Sequence, residues 1–378
     1  MATAMSSANA APDDVAGMVQ TVLGPIEPST MGITLPHEHL FVDTTPLLEV
    51  PTEASDLARS NMPFTLENLG WIRYNYFRHR ENGILDDEDT ALYELELFRR
   101  AGGGTIVDVT PIGIGRDPHA LARVARAAGV NVVMSTGYYV GATHPPTVST
   151  ATVEDVVFRM ITEIREGAVL ERSTPPGHDI VRLNEHTRIR AGVIKVGCSY
   201  PLMADETKVL RAAVEAQRRT GAAITIHVGR HDHSVLEIVD VLRAAGADMS
   251  HTILGHLELR VERRETLDEV AESGCYLEFD LFGQEQSYFP NAKRDMPSDA
   301  QRLDLLEYVA ELGAMDRILV SHDICSKHRL SRYGGHGYQY VPMCVAPRMR
   351  ERGFSDADVE AVLIGNPAKA LAFKPAMT

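Results

Sequence analysis

The sequence is short of cysteine, of positive charge and of long hydrophobic runs, and each shortage excludes a class of protein. Only four cysteines occur in 378 residues, far apart and without a C-x-x-C pair, so a disulfide framework is not expected. We therefore expect reduced thiols and a cytoplasmic location. The net charge of −15 at neutral pH and the lack of a basic stripe argue against nucleic-acid binding.

No apolar run approaches the roughly 20 residues of a bilayer-spanning helix, so no membrane partner is expected. The first residues, MATAMSSANAAPDDVAG, lack a basic start and a continuous apolar stretch, which argues against a secretion signal. We expect residues 1–14 to form a mobile tail. Residues 30–373 show no linker, and with 44% apolar content the chain is long enough to bury a large core. We therefore expect residues 15–378 to form a single domain.

From residue 30 onward, β-branched apolar runs alternate with amphipathic stretches, a pattern typical of a parallel sheet built from β/α units. Eight such runs occur, at residues 32–40, 104–111, 131–140, 191–199, 222–229, 252–258, 275–283 and 317–324. Seven crossovers and a final helix at 355–373 complete a (β/α)8 TIM barrel of the α/β class. A doubly wound open sheet is the alternative.

The stretches between these runs carry helix signals. In DPHALARVARAAG, Asp117 is placed to cap a helix, Pro118 suits its first turn and Gly129 ends it. Residues 41–100 are long for one crossover and contain the only tryptophan, Trp71. We expect an inserted helical segment after strand 1, a subdomain or lid, with an ordinary packing helix as the alternative.

Polar side chains interrupt the apolar runs near the carboxyl ends of five predicted strands. They are His37, His39, Lys195, His227, His256 and Asp323. Barrel enzymes place their chemistry at this end, and an unpaired charge inside such a run would cost several kcal/mol. His37 and His39 are two residues apart in an extended segment and so share a face. Converging nitrogen and oxygen donors predict a site for zinc, manganese, cobalt or iron(II).

Lys195 needs a separate explanation, because an ammonium group donates hydrogen bonds and does not ligate a divalent ion. One possibility is a structural ion pair with an acid. The other is reaction of the amine with carbon dioxide to give a carbamate, an anionic two-oxygen ligand able to bridge two metals. The residues themselves leave both open.

The ordered set HEH (37–39), IKVG around Lys195, IHVGR at His227, GHLE at His256 and SHD ending at Asp323 resembles the phosphotriesterase family of the amidohydrolase superfamily. The motifs GRDPHAL, EFDLFG, KHRLSRYGGHGY and GNPAKAL extend the resemblance from about Val19 to Phe373. They are most similar to the phosphotriesterase-related proteins.

The resemblance implies a cofactor of two divalent ions, with zinc as the first expectation. One ion would be held by His37, His39 and Asp323, and the second by His227 and His256. Carboxylated Lys195 and a hydroxide would bridge them, giving a nucleophile and a polarised carbonyl or phosphoryl group at neutral pH. Asp323 would accept the proton of the hydroxide. Lys195 and Asp323 are therefore the expected catalytic residues.

Two departures from the family pattern shift the expected substrate. By this resemblance, Leu281 stands at the position where the lactonases of the family carry an arginine. The phosphotriester-cleaving members carry a histidine at the same position. The resemblance then favours hydrolysis of a carbonyl C–N or C–O bond in a small acylated metabolite, such as an N-acyl amino compound like N-acetyltaurine, or an ester. Lactonase or phosphotriesterase activity is the alternative, and a metal-binding barrel without turnover is the non-enzyme alternative.

Four residues are candidates for binding the substrate: Tyr139, Arg230, Tyr333 and His336. Tyr139 aligns with an aromatic of the related lactonases. Arg230, or His336 together with Arg329 and Arg332, could bind an anionic group; for each, a solvated loop charge is the alternative. Tyr333 begins a glycine-rich segment that could fold over the site. We expect a homodimer acting on a small molecule.

Overall fold

Eight parallel strands form one sheet in the computed structural model, which describes residues 15–170, 187–285, 288–289 and 293–377. Neighbouring strands in the sheet follow one another in chain order, from residues 33–38 to residues 318–320. The chain after the last strand then meets the first, where the Asp323 N–H donates to the His37 carbonyl over 3.1 Å. The sheet therefore closes into the predicted (β/α)8 barrel, and the doubly wound alternative is wrong.

Each of the eight predicted runs coincides with one barrel strand. The described residues contain twelve strands, which in chain order are β1 (Val19–Thr21), β2 (Gly24–Ile26), β3 (Ile33–Glu38), β4 (Val42–Asp43), β5 (Ile84–Leu85), β6 (Gly103–Asp108), β7 (Asn131–Tyr138), β8 (Val193–Gly197), β9 (Ala223–His227), β10 (Thr252–Gly255), β11 (Tyr276–Phe279) and β12 (Ile318–Val320). The barrel consists of β3 and of β6 to β12, while β1–β2 and β4–β5 are separate antiparallel pairs.

Helices surround the barrel. Within the described residues the α-helices are α1 (Ala54–Ser60), α2 (Leu69–Tyr74), α3 (Glu88–Arg100), α4 (Pro118–Ala128), α5 (Thr147–Thr150), α6 (Val153–Arg165), α7 (Ala204–Thr220), α8 (Asp232–Ala245), α9 (Leu257–Arg260), α10 (Arg264–Ser273), α11 (Asp299–Glu311), α12 (Ala346–Glu351), α13 (Asp356–Glu360) and α14 (Asn366–Leu371). In this part of the chain, no helix combines the length and the apolar character that a bilayer crossing requires.

Helix α4 shows how the sequence sets these boundaries. The Asp117 side chain accepts a hydrogen bond from the Ala120 N–H over 2.9 Å, which satisfies one of the free donors of the first turn. Pro118 occupies that turn, where no N–H is needed. Gly129 then ends the helix with a φ of +64°, a left-handed conformation that glycine adopts without steric cost. The predicted signals of this helix are confirmed.

The C-terminal helix departs from the prediction. Instead of one helix over 355–373, α13 and α14 are separated by a π-helix at Ala361–Gly365. Pro367 follows directly and has no N–H to donate to the preceding turn, so the regular α-helical bonding is interrupted there.

The segment after β3 is the predicted insertion. Residues 41–100 fold into α1 and α2, the short β4–β5 pair and α3, with Trp71 in α2. The predicted tail, residues 1–14, lies outside the described residues. All four cysteines are free thiols, as expected.

A buried ion pair fixes α6 to the barrel. Arg116 donates to both carboxylate oxygens of Glu163 over 2.6 and 2.9 Å, and the Thr136 hydroxyl donates to the same carboxylate over 2.6 Å. Burial alone would raise the pKa of Glu163, but Arg116 and Arg159 outweigh it and lower the pKa to about 2. The carboxylate is therefore ionised throughout the physiological range.

We expect Glu163→Gln to lower the free energy of unfolding by about 3 kcal/mol or more, because it leaves the Arg116 charge buried without its counterion. The folded-state pKa lies below the unfolded value of about 4.3, so the contribution is complete above that pH and disappears as the pH falls through about 2. Urea unfolding of wild type and variant at pH 7 and at pH 3 measures both effects.

Glu88→Gln is the matched control, because Glu88 pairs with Arg123 on the exposed surface and exposed pairs contribute little. Equal stability losses for the two variants at pH 7 would contradict the assignment of Glu163 as a structural anchor.

Candidate metal centre at the mouth of the barrel

The six strand-end residues predicted as ligands all line one cavity at the carboxyl ends of the barrel strands. In register, Lys195 of β8 pairs with Thr225, whereas His227 of β9 pairs with Gly255, the residue before His256. Lys195 therefore enters the cavity one layer below the histidines, and its Nζ lies 2.9 Å from His37 Nε2. The structure brings the predicted set together.

Close contacts link the remaining members. His39 Nε2 lies 3.1 Å from Asp323 Oδ1, and His256 Nε2 lies 2.6 Å from His227 Nδ1. The ligand atoms of His37, His39 and Asp323 all lie within 4.8 Å of one another. Except for the partly exposed Asp323, these residues are buried.

Three imidazoles are oriented through their second nitrogen. His37 Nδ1 lies 2.8 Å from a carboxylate oxygen of both Glu278 and Asp280. His256 Nδ1 lies 2.6 Å from Asp280, and His39 Nδ1 lies 2.8 Å from the Thr110 hydroxyl. Each ring thereby directs Nε2 into the cavity, the arrangement in which outer groups set the tautomer of metal-binding histidines.

Glu278 and Asp280 were missed in the sequence analysis, which considered this strand only for Leu281. The available signal was their spacing: two carboxylates two residues apart near the end of β11 face the same side of the sheet. Both are fully buried. Asp280 also completes a second group of close donor atoms with His37 and His256.

The electrostatics of the cavity reflect burial opposed by neighbouring charges. Burial and Lys195 favour neutral His37, but Asp280 and Glu278 prevail and raise its pKa to about 10. Burial lowers the pKa of His256 to about 4 despite Asp280, and it also lowers the pKa of Lys195. Burial of Asp323 is outweighed by the hydrogen bond with His39 and by nearby imidazoles, so its pKa lies below the usual range.

Two of these residues have strained backbones. His256 has a φ of +59° and Asp323 a φ of +52°, values that residues with a Cβ seldom adopt. Such conformations persist only where the surroundings enforce them. At Asp323, Arg329 supplies part of this restraint, because its guanidinium donates to the carbonyls of both Asp323 and His322.

Glu38, between His37 and His39 at the end of β3, supplies further restraint on the Asp323 loop. One carboxylate oxygen accepts from the Ser321 hydroxyl over 2.7 Å and from the His322 N–H over 2.9 Å, and the other accepts from the Ile324 N–H over 2.9 Å. A buried side chain of the first strand therefore fixes the loop that carries Asp323 after the last strand.

The predicted substrate residues divide into two groups. Tyr139 and Arg230 line the cavity, and the Tyr139 hydroxyl lies 3.3 Å from His227 Nδ1. Among the described residues, Tyr333 and His336 are not part of the lining: the Tyr333 ring packs 5.1 Å from that of Phe64, and the His336 ring stacks 5.3 Å from that of His322.

The arginines predicted near His336 also separate. Arg332 is exposed, with its guanidinium 5.8 Å from the Tyr93 ring, and does not line the cavity. Arg329 lines it, but its N–H groups point to backbone carbonyls. The inserted segment contributes further wall residues, which are Val42, Thr44, Leu47, Tyr76 and Phe77.

The donor set suits divalent ions. Imidazole nitrogens and carboxylate oxygens are ligands that zinc, manganese, cobalt and iron(II) accept. The Nε2 atoms of His37 and His39 lie 3.9 and 3.1 Å from the same carboxylate oxygen of Asp323. The outer partners that such ligands require are already in place. The residues present therefore fit a metal centre.

A closed (β/α)8 barrel with imidazole, lysine and carboxylate groups converging at its strand ends defines a barrel hydrolase. Residues 17–371 match the model of the phosphotriesterase family, and the chain belongs to this family of hydrolases. The family assignment predicted from the motifs is confirmed.

Relatives cover nearly the whole chain. An N-acetyltaurine hydrolase of Xenopus tropicalis is 40% identical over 363 residues, which cover 95% of this chain and 99% of that protein. A phosphotriesterase-related protein of Nematostella vectensis is 38% identical with the same coverage. The solved structure of a resiniferatoxin-binding protein from Rhodobacter sphaeroides matches with a TM-score of 0.86 at 34% identity, covering 95% of this chain and 96% of that one.

We expect Glu38→Gln to lower the free energy of unfolding by about 2 kcal/mol or more, because the amide NH2 would face a backbone N–H and leave it buried without an acceptor. Denaturant unfolding measures the loss, and bound metal per chain reports on the displaced Asp323 loop.

Glu258→Gln is the control, because burial and nearby Asp280 raise the pKa of Glu258 and so reduce the contribution of its ionised form. If both variants were equally stable, the Glu38 carboxylate would not be what fixes the loop.

Proposed function

We propose that this protein is a binuclear metal-dependent hydrolase that cleaves the carbonyl C–N or C–O bond of a small acylated metabolite, with N-acetyltaurine as the first substrate to test. The observation that carries the proposal is the 40% identity over nearly the full length to an N-acetyltaurine hydrolase. The convergent imidazole, lysine and carboxylate groups of the cavity supply chemistry suited to this reaction.

In this proposal His37, His39 and Asp323 would hold one ion, and His227 and His256 would hold the second. Carboxylated Lys195 would supply oxygen ligands to both ions. When bound, the two ions would activate water at neutral pH and act as Lewis acids toward the carbonyl group of the substrate. Zinc is the expected metal, and manganese, cobalt and iron remain alternatives for the same donors.

The environment of Lys195 supports a carbamate. Burial lowers the pKa of its ammonium group, which raises the share of the neutral amine. That amine forms a C–N bond to carbon dioxide and releases one proton, leaving an anionic group with two oxygens. An unmodified lysine cation would instead repel the ions that the surrounding histidines suit.

Asp323 acts as the proton acceptor in this scheme. Its pKa lies below the usual range, with the hydrogen bond from His39 opposing the effect of burial, so it is ionised at neutral pH and able to accept a proton. Tyr139, whose hydroxyl lies beside His227, is placed to contact the substrate.

Lactones and phosphotriesters are the second candidates, because the family includes proteins named for both activities. Leu281 lines the cavity and is buried. It offers no hydrogen-bond donor at a position where the resemblance expects arginine in lactonases and histidine in phosphotriesterases. The leucine favours the acylated metabolite.

A metal experiment tests the centre. We expect purified protein to bind two divalent ions per chain, and chelation to abolish hydrolysis until the ions are restored. Lys195→Ala should bind fewer ions and lose activity, because the bridging ligand is gone, and a short carboxylate such as acetate should restore part of both. Elemental analysis measures the ions, and exposed Lys369→Ala is the control. Full metal content and activity in Lys195→Ala would reject the carbamate.

A substrate panel tests the reaction. We expect a higher kcat/KM for N-acetyltaurine and other N-acetyl amino compounds than for lactones or phosphotriesters, measured on metal-loaded protein. Faster lactone turnover would favour the lactonase alternative. Two bound ions without turnover of any class would favour the metal-binding barrel.

A further inference from the structure

Two arginines line the cavity without a carboxylate partner. Arg230 follows β9, and Arg260 ends α9, directly after β10. Among the described residues, neither has a carboxylate within ion-pair distance, although Asp280 and Glu258 act on Arg260 from farther away. Arg260 is only 3% exposed, and burial together with the charge of Arg230 lowers its pKa to about 10. Two guanidinium groups therefore face the same space and repel each other.

Both guanidinium groups carry unused donors. Arg260 donates from Nε to the Val228 carbonyl over 3.2 Å, but its Nη1 is buried with no hydrogen-bond partner. The Nε of Arg230 is likewise buried and unpaired. A buried donor without an acceptor carries the full cost of its desolvation. An oxyanion in the cavity would satisfy these donors and compensate both charges.

Two other arginines with buried side chains have carboxylate partners. Arg302 donates to Asp299 over 2.6 Å, and Arg116 donates to Glu163 over 2.6 Å. Arg329, which also lines the cavity, has no carboxylate partner in the described part of the chain but donates to the backbone carbonyls of Asp323 and His322. Arg230 and Arg260 differ from all three in facing the cavity with unused donors.

Aromatic rings hold Arg230 in place. Its guanidinium carbon lies 5.7 Å from the centroid of the Phe77 ring, in the inserted segment, and 5.8 Å from that of Phe289, after β11. Cation–π contacts of this kind orient a guanidinium group without using its N–H donors. These donors remain free for a ligand.

We propose that Arg230 and Arg260 form an anion subsite that binds a sulfonate or carboxylate group of the substrate on the β9–β10 side of the cavity. The inference rests on the proposed function for its substrate class: small acylated compounds that carry one oxyanion, in preference to neutral amides and esters. The scissile bond would lie at the candidate metal centre and the anionic end at the two arginines.

Binding of unreactive anions tests the subsite without turnover. Ethanesulfonate and propanoate are titrated into metal-loaded wild type, Arg230→Met, Arg260→Met and the control Arg211→Gln, whose arginine is exposed on α7. We expect about 30-fold weaker binding of the anion in each methionine variant and wild-type binding in the control. Thermal unfolding confirms that each variant is folded, and Arg230→Met, altering a half-buried residue, serves if Arg260→Met does not fold.

The proposal would be overturned if the anions did not bind to wild type, or if they bound equally to all four proteins. It would also be overturned if removal of the metal by a chelator abolished anion binding while the arginine substitutions did not affect it. Turnover separates it from the proposed function. We expect the methionine variants to lose kcat/KM on N-acetyltaurine by a much larger factor than on the neutral amide N-ethylacetamide. Arginine-dependent binding without any hydrolysis would retain the subsite and reject the hydrolase.

Discussion

The carboxylate of Glu38 is the constraint on which the site depends. A barrel closes only if its first and last strands meet in the correct register, and here the join involves the same residues that carry the candidate ligands. Glu38 lies between His37 and His39, and its side chain accepts from three groups around Asp323. Candidate ligands that are 284 residues apart in the chain, His39 and Asp323, are thus placed by one buried side chain.

The same closure accounts for the backbone strain at Asp323. A left-handed conformation at a residue with a Cβ is unfavourable in isolation. Here the loop is held in it by its hydrogen bonds to the Glu38 carboxylate and by the hydrogen bonds from Arg329 to two loop carbonyls. The interior of this barrel mouth is consequently polar, and its stability depends on pairing: Glu278 and Asp280 face His37, and Asp280 also faces His256. Burying these ionisable groups costs desolvation free energy, and this cost is found at the site where the proposed chemistry requires such groups.

Functional residues at strand ends could be predicted from the sequence, because the strand pattern fixes which way they face. Residues in loops could not, because the sequence does not determine the path of the loop. His227 and Lys195 could be found because each interrupts an apolar run at a strand end. Tyr333 and His336 could not be judged, because the glycine-rich loop turns their rings against Phe64 and His322 instead of the cavity. Arg260 gave no signal, since a charged residue in a four-residue helix resembles a surface position until tertiary packing buries it.

The position of the only tryptophan has a practical consequence. Trp71 lies in α2 of the inserted segment, a few residues before the wall residues Tyr76 and Phe77. Indole fluorescence excited at the red edge of aromatic absorption therefore originates from this segment alone. The protein therefore carries an optical reporter in the segment that supplies part of the cavity wall, without background from tryptophans elsewhere in the sequence.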